Sequence, residues 1–163
     1  MTPPRIVTAA LPYANGSLHI GHLLEYCQAD MYTRALNRLG ENALYICASD
    51  SHGTPIELNA QSQGIPPETL VQKYHDEHQE DFIKFDVRFD HFGLTHNPAN
   101  KELTHSIFAE LKNSGNIFEK EIDGNWCNGC ERFLPDRFVK GTCPKCDAED
   151  QYGDVCEQCG STH

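Results

Sequence analysis

The 163-residue sequence predicts an α/β fold with parallel strands over residues 1–115, followed by a small cysteine-rich segment over residues 116–163. Three observations predict this organisation. Residues 5–48 run strand, long helix, strand, which is the βαβ pattern of a parallel sheet. Helical periodicity continues to about residue 113 and stops at Gly115. Beyond residue 116 short segments rich in cysteine, glycine, proline and aspartate replace the helices, so we place a domain boundary near 115.

The first βαβ unit can be located from local signals. Arg5–Ala10 is a β-branched apolar run typical of a buried strand, and Ala43–Ala48 is a second one. Between them Leu18–Leu39 keeps the helical period, with Ser17 as the predicted N-cap and Gly40 as the residue that ends the helix.

Three further helices are predicted downstream. After a loop over residues 49–53, Thr54 is the expected N-cap of a short helix, with proline at its first position and Gly64 at its end. Pro67–Phe85 reads as a third helix, and a fourth runs from Pro98 to Asn113.

Charge and composition limit the function classes. The net charge is −11, from 24 acidic and 13 basic residues, which argues against a broad nucleic-acid footprint on this piece. An RNA partner bound through basic surface elsewhere in a longer protein stays open. The sequence has no signal-peptide pattern and no apolar run near the ~18 residues of a membrane span. We therefore expect a cytosolic protein whose cysteines are reduced and not paired as disulfides.

Six of the eight cysteines form C-x-x-C pairs, which is a strong zinc signal. The pairs are Cys127/Cys130, Cys143/Cys146 and Cys156/Cys159. Two pairs complete a tetrahedral, closed and therefore structural shell, with Gly160 suited to a tight knuckle. Buried unpaired thiols and a redox motif are the weaker alternatives. Spacing leaves open which pair is spare, although proximity favours joining the last two, and Cys27 and Cys47 fit as small core residues.

The spare pair would need two further ligands, of which only His163 remains downstream. We therefore expect another C-x-x-C beyond this sequence.

The stretch LPYANGSLHIGH, Leu11–His22, predicts a strand-to-helix corner that could bind phosphate. A helix that follows a parallel strand points its N–H groups at the sheet edge where nucleotides bind. Gly16 and Gly21 would let a ligand approach the backbone, while His19 and His22 could donate hydrogen bonds to it. Two other interpretations stay open: a structural histidine pair or a metal-binding pair. The stretch matches neither generic phosphate loop.

Several motifs together resemble one enzyme family. HIGH, residues 19–22, resembles the signature of class I aminoacyl-tRNA synthetases, and the longer ALPYANGSLHIGH resembles methionyl-tRNA synthetases. DSHGTP at 50–55 and FLPDRFVKGTCPKC at 133–146, continuing to Cys159, are similar to the same family and stand in its order. The resemblance implies the first half of a Rossmann-like nucleotide-binding fold, followed by the zinc-knuckle start of the connective-peptide insertion.

The resemblance also implies an activity: ATP-dependent conversion of L-methionine to methionyl-adenylate and transfer to tRNA(Met), with Mg²⁺ accompanying ATP. His19 and His22 match the catalytic histidines, and His52 is expected at the pocket edge. Residues matching the ATP site are Tyr13, Asn15, Gly16, His19, Gly21 and His22. Residues matching the methionine site are Ala10, Leu11, Tyr13 and Asp50, the last pairing with the α-ammonium.

For the metal, the resemblance assigns Zn²⁺ to one cysteine set and leaves another incomplete. The first set is Cys143, Cys146, Cys156 and Cys159, and the incomplete set contains Cys127 and Cys130. The family's KMSKS lysine loop is absent from these residues. We therefore expect an N-terminal fragment that does not make methionyl-adenylate alone. A free-standing nucleotide- or RNA-binding zinc module, or a structural zinc-ribbon interaction domain, are the competing interpretations.

Overall fold

The computed structural model describes residues 3–121, 124–129, 131–134 and 138–162. It divides into two compact units, residues 1–113 and 114–163. None of the helices in the described ranges is long and apolar enough to cross a membrane.

A three-stranded parallel sheet forms the centre of the first unit. Its strands β1 (Arg5–Val7), β2 (Ala43–Ser49) and β3 (His91–Leu94) lie in the order β1-β2-β3. Helix α1 (Ile20–Arg38) connects β1 to β2, which confirms the predicted βαβ unit. β3 was not predicted, because its four residues include a histidine and a glycine and carry no alternating pattern.

Three more helices complete the first unit. α2 (Thr54–Gln63) and α3 (Pro67–Lys84) connect β2 to β3, and α4 (Pro98–Asn113) follows β3. The sequence prediction of these helices is confirmed to within a residue or two. α4 buries none of its side chains among the described residues.

β1 is shorter and more exposed than predicted. The strand ends at Val7 instead of Ala10, and Ile6 is 58% exposed. The chain leaves the sheet because both backbone polar groups of Ala10 bond to α1: Glu25 Oε1 accepts its N–H at 2.8 Å, and Tyr26 Oη donates to its carbonyl at 2.8 Å.

Two predicted helix caps are wrong. The N-cap of α1 is His19, not Ser17, because the imidazole of His19 accepts a helix N–H. The N-cap of α2 is Gly53, not Thr54. Gly53 has a φ of 120°, and a Cβ there would lie 3.0 Å from the Tyr13 hydroxyl, so glycine is required for this turn.

The core of the first unit lies between the sheet and helices α1 and α3. Alternate residues of β2 are buried, as expected for a strand with one covered face. Tyr26, Tyr45 and Phe82 are the large side chains of this cluster, and the Tyr26 and Phe82 rings meet edge to face at 4.8 Å. This packing fixes α1 against β2 and so fixes the corner at which α1 begins.

In its described residues, the second unit contains two short antiparallel ribbons. β4 (Asn125–Cys127) pairs with β5 (Arg132–Leu134), and β6 (Lys140–Gly141) pairs with β7 (Gln151–Tyr152). Ribbons this short bury little apolar surface, so this unit needs another source of stability.

Candidate functional site

The two predicted histidines cap the N-terminus of α1 reciprocally. His22 N–H donates to His19 Nδ1 at 3.3 Å, and His19 N–H donates to His22 Nδ1 at 3.2 Å. The rings stack with centroids 3.6 Å apart and an interplanar angle of 14°. Because each Nδ1 accepts, each neutral ring carries its proton on Nε2. The corner therefore has two exposed rings whose Nε2–H groups remain donors.

Gly21 is explained by this cap. A Cβ at position 21 would lie 3.0 Å from Cε1 and 3.1 Å from Nδ1 of His19, so the imidazole occupies the space of a side chain. A Cβ at Gly16 would meet no atom within 4 Å, which leaves the backbone there open. The two glycines therefore have different roles: Gly21 accommodates the capping imidazole, and Gly16 leaves space beside the turn.

Asp50 lies directly against the segment that precedes the corner. Ala14 N–H donates to the Asp50 carbonyl, and Asp50 N–H donates to the Pro12 carbonyl, both at 2.8 Å. Tyr13 and Asp50 form a parallel bridge that extends the β1–β2 pairing to the carboxyl edge of the sheet. The structure thereby brings together residues separated by nearly forty positions in the sequence. This is the edge at which open α/β sheets bind ligands.

Ala10 and Leu11 lie at the start of the same segment. The two hydrogen bonds from α1 described above hold the Ala10 backbone, and Leu11 is 42% exposed. Burial, with the Cys47 thiol and Glu25 carboxylate nearby, raises the pKa of Tyr26, so its hydroxyl stays protonated as the donor. Sequence reasoning missed Glu25 and Tyr26 as supports of this segment, because their partner is a backbone group far away in the chain.

A cavity of about 310 Å³ opens beside this edge. Its floor includes Ile56, Val71 and Leu94, and its rim includes His52 and His96. His52 Nδ1 lies 3.2 Å from the Thr95 hydroxyl. His52 therefore lines a cavity in this structure, and its place at the edge of an amino-acid pocket stays a prediction.

Four cysteines of the second unit converge on one point. The Sγ atoms of Cys143, Cys146, Cys156 and Cys159 all lie within 4.8 Å of one another. Sγ of Cys143 is 3.8 Å from that of Cys159, and Sγ of Cys146 is 3.7 Å from that of Cys156. A tetrahedral shell with Zn–S bonds of about 2.3 Å has sulfur–sulfur separations of about 3.8 Å. The cluster therefore has the dimensions of a metal site with four thiolate ligands.

Two knuckles of the same form build this cluster. Asp147 N–H donates to the Cys143 carbonyl at 3.0 Å, and Gly160 N–H donates to the Cys156 carbonyl at 2.8 Å. Both donors have positive φ, 57° at Asp147 and 68° at Gly160, in agreement with the prediction for Gly160. Aspartate tolerates this region better than most residues, so the glycine signal marks only one of the two knuckles.

Hydrogen bonds within the knuckles act differently on individual thiols: the pKa values of Cys143 and Cys159 are lowered, whereas contacts with the neighbouring thiols raise the pKa of Cys146 to about 12. Burial opposes ionisation of Cys143, but donors from the Lys145 N–H and the Ser161 hydroxyl lower the pKa of its thiol to about 6. In the other knuckle Cys159 N–H donates to Cys156 Sγ at 3.4 Å. Thiolate is the form that binds a metal ion.

The remaining cysteine pair is only partly described. Cys127 ends strand β4, whereas Cys130 lies outside the described residues. His163, the other candidate ligand, lies outside them as well. A second metal site stays a prediction.

Residues 5–163, which include the parallel α/β unit with its capped histidine corner and the cysteine cluster, match a family model described as tRNA synthetases class I (M), so the chain belongs to this family. The methionine–tRNA ligase of Myxococcus xanthus (strain DK1622) is 52% identical over all 163 residues. That of Francisella tularensis subsp. holarctica (strain OSU18) is 52% identical over 158 residues, or 97% of the chain. The chain spans 23% of the length of each relative.

Two solved structures share the fold. Methionyl-tRNA synthetase of Mycobacterium tuberculosis bound by methionyl-adenylate superposes with a TM-score of 0.73 at 22% identity, over 92% of this chain and 31% of that one. A LeuRS of Agrobacterium radiobacter K84, in a ternary complex with tRNA and LeuAMS, gives a TM-score of 0.72 at 22% identity, over 93% and 20%. At this identity the likeness establishes the fold alone.

Proposed function

We propose that this chain supplies the first half of the catalytic domain of a methionine–tRNA ligase. The enzyme activates L-methionine with ATP to methionyl-adenylate and pyrophosphate and transfers the methionyl group to tRNA(Met) in the cytosol. The observation that carries the proposal is the backbone bridge that holds Asp50 against Pro12–Ala14, immediately before the His19–His22 corner. The 52% identity to methionine–tRNA ligases over the whole chain supports it.

In this proposal the corner binds ATP. Activation is attack of the methionine carboxylate on the α-phosphorus, so the protein acts mainly by positioning and by stabilising charge. The Nε2–H groups of His19 and His22 donate to phosphate oxygens, while Asn15 and Gly16 lie beside the nucleotide. Tyr13 and Gly21 complete the predicted ATP site, and Mg²⁺ accompanies the phosphates as part of the substrate.

Methionine binds at the adjoining segment in the same proposal. The Asp50 carboxylate pairs with the α-ammonium, and its fixed backbone keeps it near the reacting carboxylate. Ala10, Leu11 and Tyr13 line the amino-acid side of the site. The exposed Leu11 side chain is available for apolar contact with a thioether.

The cysteine cluster holds Zn²⁺ as a structural ion. Four thiolates whose sulfur atoms lie within 4.8 Å of one another complete a tetrahedral shell and leave no open coordination position for a substrate. The ion stabilises the connective-peptide insertion, whose short ribbons bury little apolar surface. This chemistry gives the second unit a structural role in the synthetase.

The proposal is tested with a chimera, because the chain spans 23% of its relatives. Residues 1–163 replace the matching segment of the Myxococcus xanthus methionine–tRNA ligase, and methionine-dependent ATP–pyrophosphate exchange is measured. We expect exchange with methionine and none with leucine. A matched chimera carrying His19→Ala and His22→Ala sets the background. A folded, zinc-loaded chimera with no exchange above that background would refute the proposal.

A further inference from the structure

Residues 15–18 connect two rigidly bonded parts of the corner. On one side Pro12–Ala14 pairs with Asp50, and on the other side His19 begins α1. Residues 15–18 themselves belong to no strand or helix. Two side chains from α2 and α3 nevertheless reach this segment, and sequence reasoning assigned neither of them to the site.

The first is His78 of α3. Its side chain is fully buried, and its Nε2 lies 2.8 Å from the Gly16 carbonyl oxygen. A carbonyl only accepts, so Nε2 carries the proton. Nδ1 is buried without a hydrogen-bond partner in the described residues. The buried ring therefore has a fixed orientation, with Nε2–H as a donor to the turn.

The second is Asn59 of α2. Its Nδ2 donates to Asn15 Oδ1 at 2.8 Å and reaches the Asn15 carbonyl at 3.3 Å. Gln63 Nε2 in turn donates to Asn59 Oδ1 at 2.7 Å. Each amide in this series therefore donates its NH₂ group to the oxygen of the next one, from Gln63 to Asn59 and from Asn59 to Asn15. Because Asn15 Oδ1 accepts from Asn59, the NH₂ group of the Asn15 side chain is the end of this series that remains available to a ligand.

We propose that His78 and Asn59 are positioning residues for nucleotide binding: His78 fixes the Gly16 carbonyl, and Asn59 orients the Asn15 amide so that its NH₂ group faces the ATP oxygens. This inference rests on the proposed function of the corner. It adds two residues that touch the turn and not the substrate.

His78 is tested by its donor, in the chimera described above. His78→Phe keeps a ring but removes the donor, and we expect the KM for ATP to rise about tenfold, the equivalent of one lost hydrogen bond with an unpaired acceptor. The KM for methionine should change less than twofold. His78→Gln places an amide N–H near the position of Nε2 and should restore the KM for ATP to within about threefold.

His75 provides the matched control on the same helix. It is also buried, but its Nδ1 bonds to the Ser49 hydroxyl at 2.9 Å and its ring stacks on Phe92. His75→Phe should lower thermal stability and leave the KM for ATP unchanged. Equal KM increases in the His75 and His78 variants would overturn the proposal, because they would indicate a general packing defect.

The orienting role of Asn59 is tested by removing its hydrogen-bond donor or by replacing that donor with acceptors. Asn59→Ala removes the donor, whereas Asn59→Asp replaces it with acceptors and turns the Asn15 amide so that its oxygen faces the nucleotide. We therefore expect the aspartate variant to raise the KM for ATP more than the alanine variant does. An effect that is equal, or larger for alanine, would contradict the orienting role. Asn59 is only half-buried, so its substitutions keep the test valid if His78→Phe does not fold.

A tautomer measurement provides a readout besides activity. In the ¹⁵N-labelled 163-residue chain, long-range proton–nitrogen correlation should identify His78 as the Nε2–H tautomer, and a proton on Nδ1 would overturn the assigned bond.

The exchange assay separates a failure of the proposed function from a failure of the positioning role. Absence of methionine-dependent exchange in the parent chimera refutes the proposed function and this role with it. Exchange in the parent with unaltered KM for ATP in every variant refutes only the role.

Discussion

The histidine corner and the cysteine cluster are organised over very different distances along the chain. Each cysteine knuckle closes within five residues, with the backbone bonds of Asp147 and Gly160 reaching only to the cysteine four positions earlier. The corner depends on partners at much greater separation: Ala10 bonds to α1, Pro12–Ala14 to Asp50, and Gly16 to His78, 62 positions away.

This difference separates two ways of fixing a site. A metal ion can organise a local motif that has little core of its own, because ligand binding supplies the folding free energy. The corner takes its geometry from the packed sheet and helices around it. Damage to the cysteines should therefore unfold their own unit, while damage to the corner should reduce ligand binding in a unit that remains folded.

The largest expected effect follows from removal of one zinc ligand. Cys156→Ser should abolish tight zinc binding, and the second unit should lose its structure, since structural zinc contributes on the order of 10 kcal/mol. Zinc content and the NMR dispersion of residues 140–162 measure this. Cys27→Ser, which alters a thiol within α1, is the control and should retain one zinc per chain. Full zinc content in the Cys156 variant would contradict the proposed site.

The next effect concerns the proposed ammonium partner. In the chimera, Asp50→Asn should reduce kcat/KM for methionine by about 30-fold or more, the loss expected when one partner of a substrate ion pair is truncated. The exposed Asp86, which pairs with Arg34 and Arg88, provides the control Asp86→Asn. Comparable losses in both variants would show that the assay responds to general destabilisation and not to the site.

A smaller effect tests the relation between Gly21 and the His19 ring. Glycine to alanine in a helix usually stabilises by up to about 1 kcal/mol. Gly21→Ala should fail to give this gain because its Cβ meets the imidazole, whereas in the His19→Ala background it should stabilise by about 0.5–1 kcal/mol. Urea denaturation of the parent, the two single variants and the double variant gives the coupling free energy between positions 19 and 21. Additive free energies would contradict the packing explanation.

The smallest effect is a pH dependence from His75. Burial lowers the pKa of His75, which Asp76 partly offsets. In the unfolded chain the histidine pKa is about 6.5, so the unfolded state binds the proton more tightly than the folded state does. The stability contributed by neutral His75 is therefore fully present above pH ~6.5 and is lost as the pH falls toward the lowered pKa of the folded state. The free energy of unfolding should fall less steeply between pH 7.5 and 5 in His75→Gln than in the parent. Equal slopes would exclude His75 as a contributor.

Sequence alone could predict the features that depend on near neighbours. The βαβ order, the three later helices and the C-x-x-C knuckles all follow from short-range periodicity or spacing. The grouping of Cys143 and Cys146 with Cys156 and Cys159 came from proximity and resemblance, and the structure brings these four thiols together.

The missed features depend on partners that no local pattern reveals. Strand β3 is defined by its register with β2, from Ile46 opposite His91 to Ser49 opposite Leu94. His78 and Asn59 look like ordinary positions of amphipathic helices, and only the packing of α2 and α3 brings them to the turn at residues 15–16. His19 was predicted as a ligand donor, but its capping role depends on the reciprocal bond from His22.

The central claim is that the corner and Asp50 form one adenylate-binding site. The most direct test is a crystal structure of the chimera with a sulfamoyl analogue of methionyl-adenylate. We expect the Asp50 carboxylate within about 3.2 Å of the ligand ammonium, and Nε2 of His19 or His22 at similar distance from the sulfamoyl oxygens or the adjoining ribose oxygens. A ligand bound with its ammonium away from Asp50, or clear of the histidine corner, would contradict the claim.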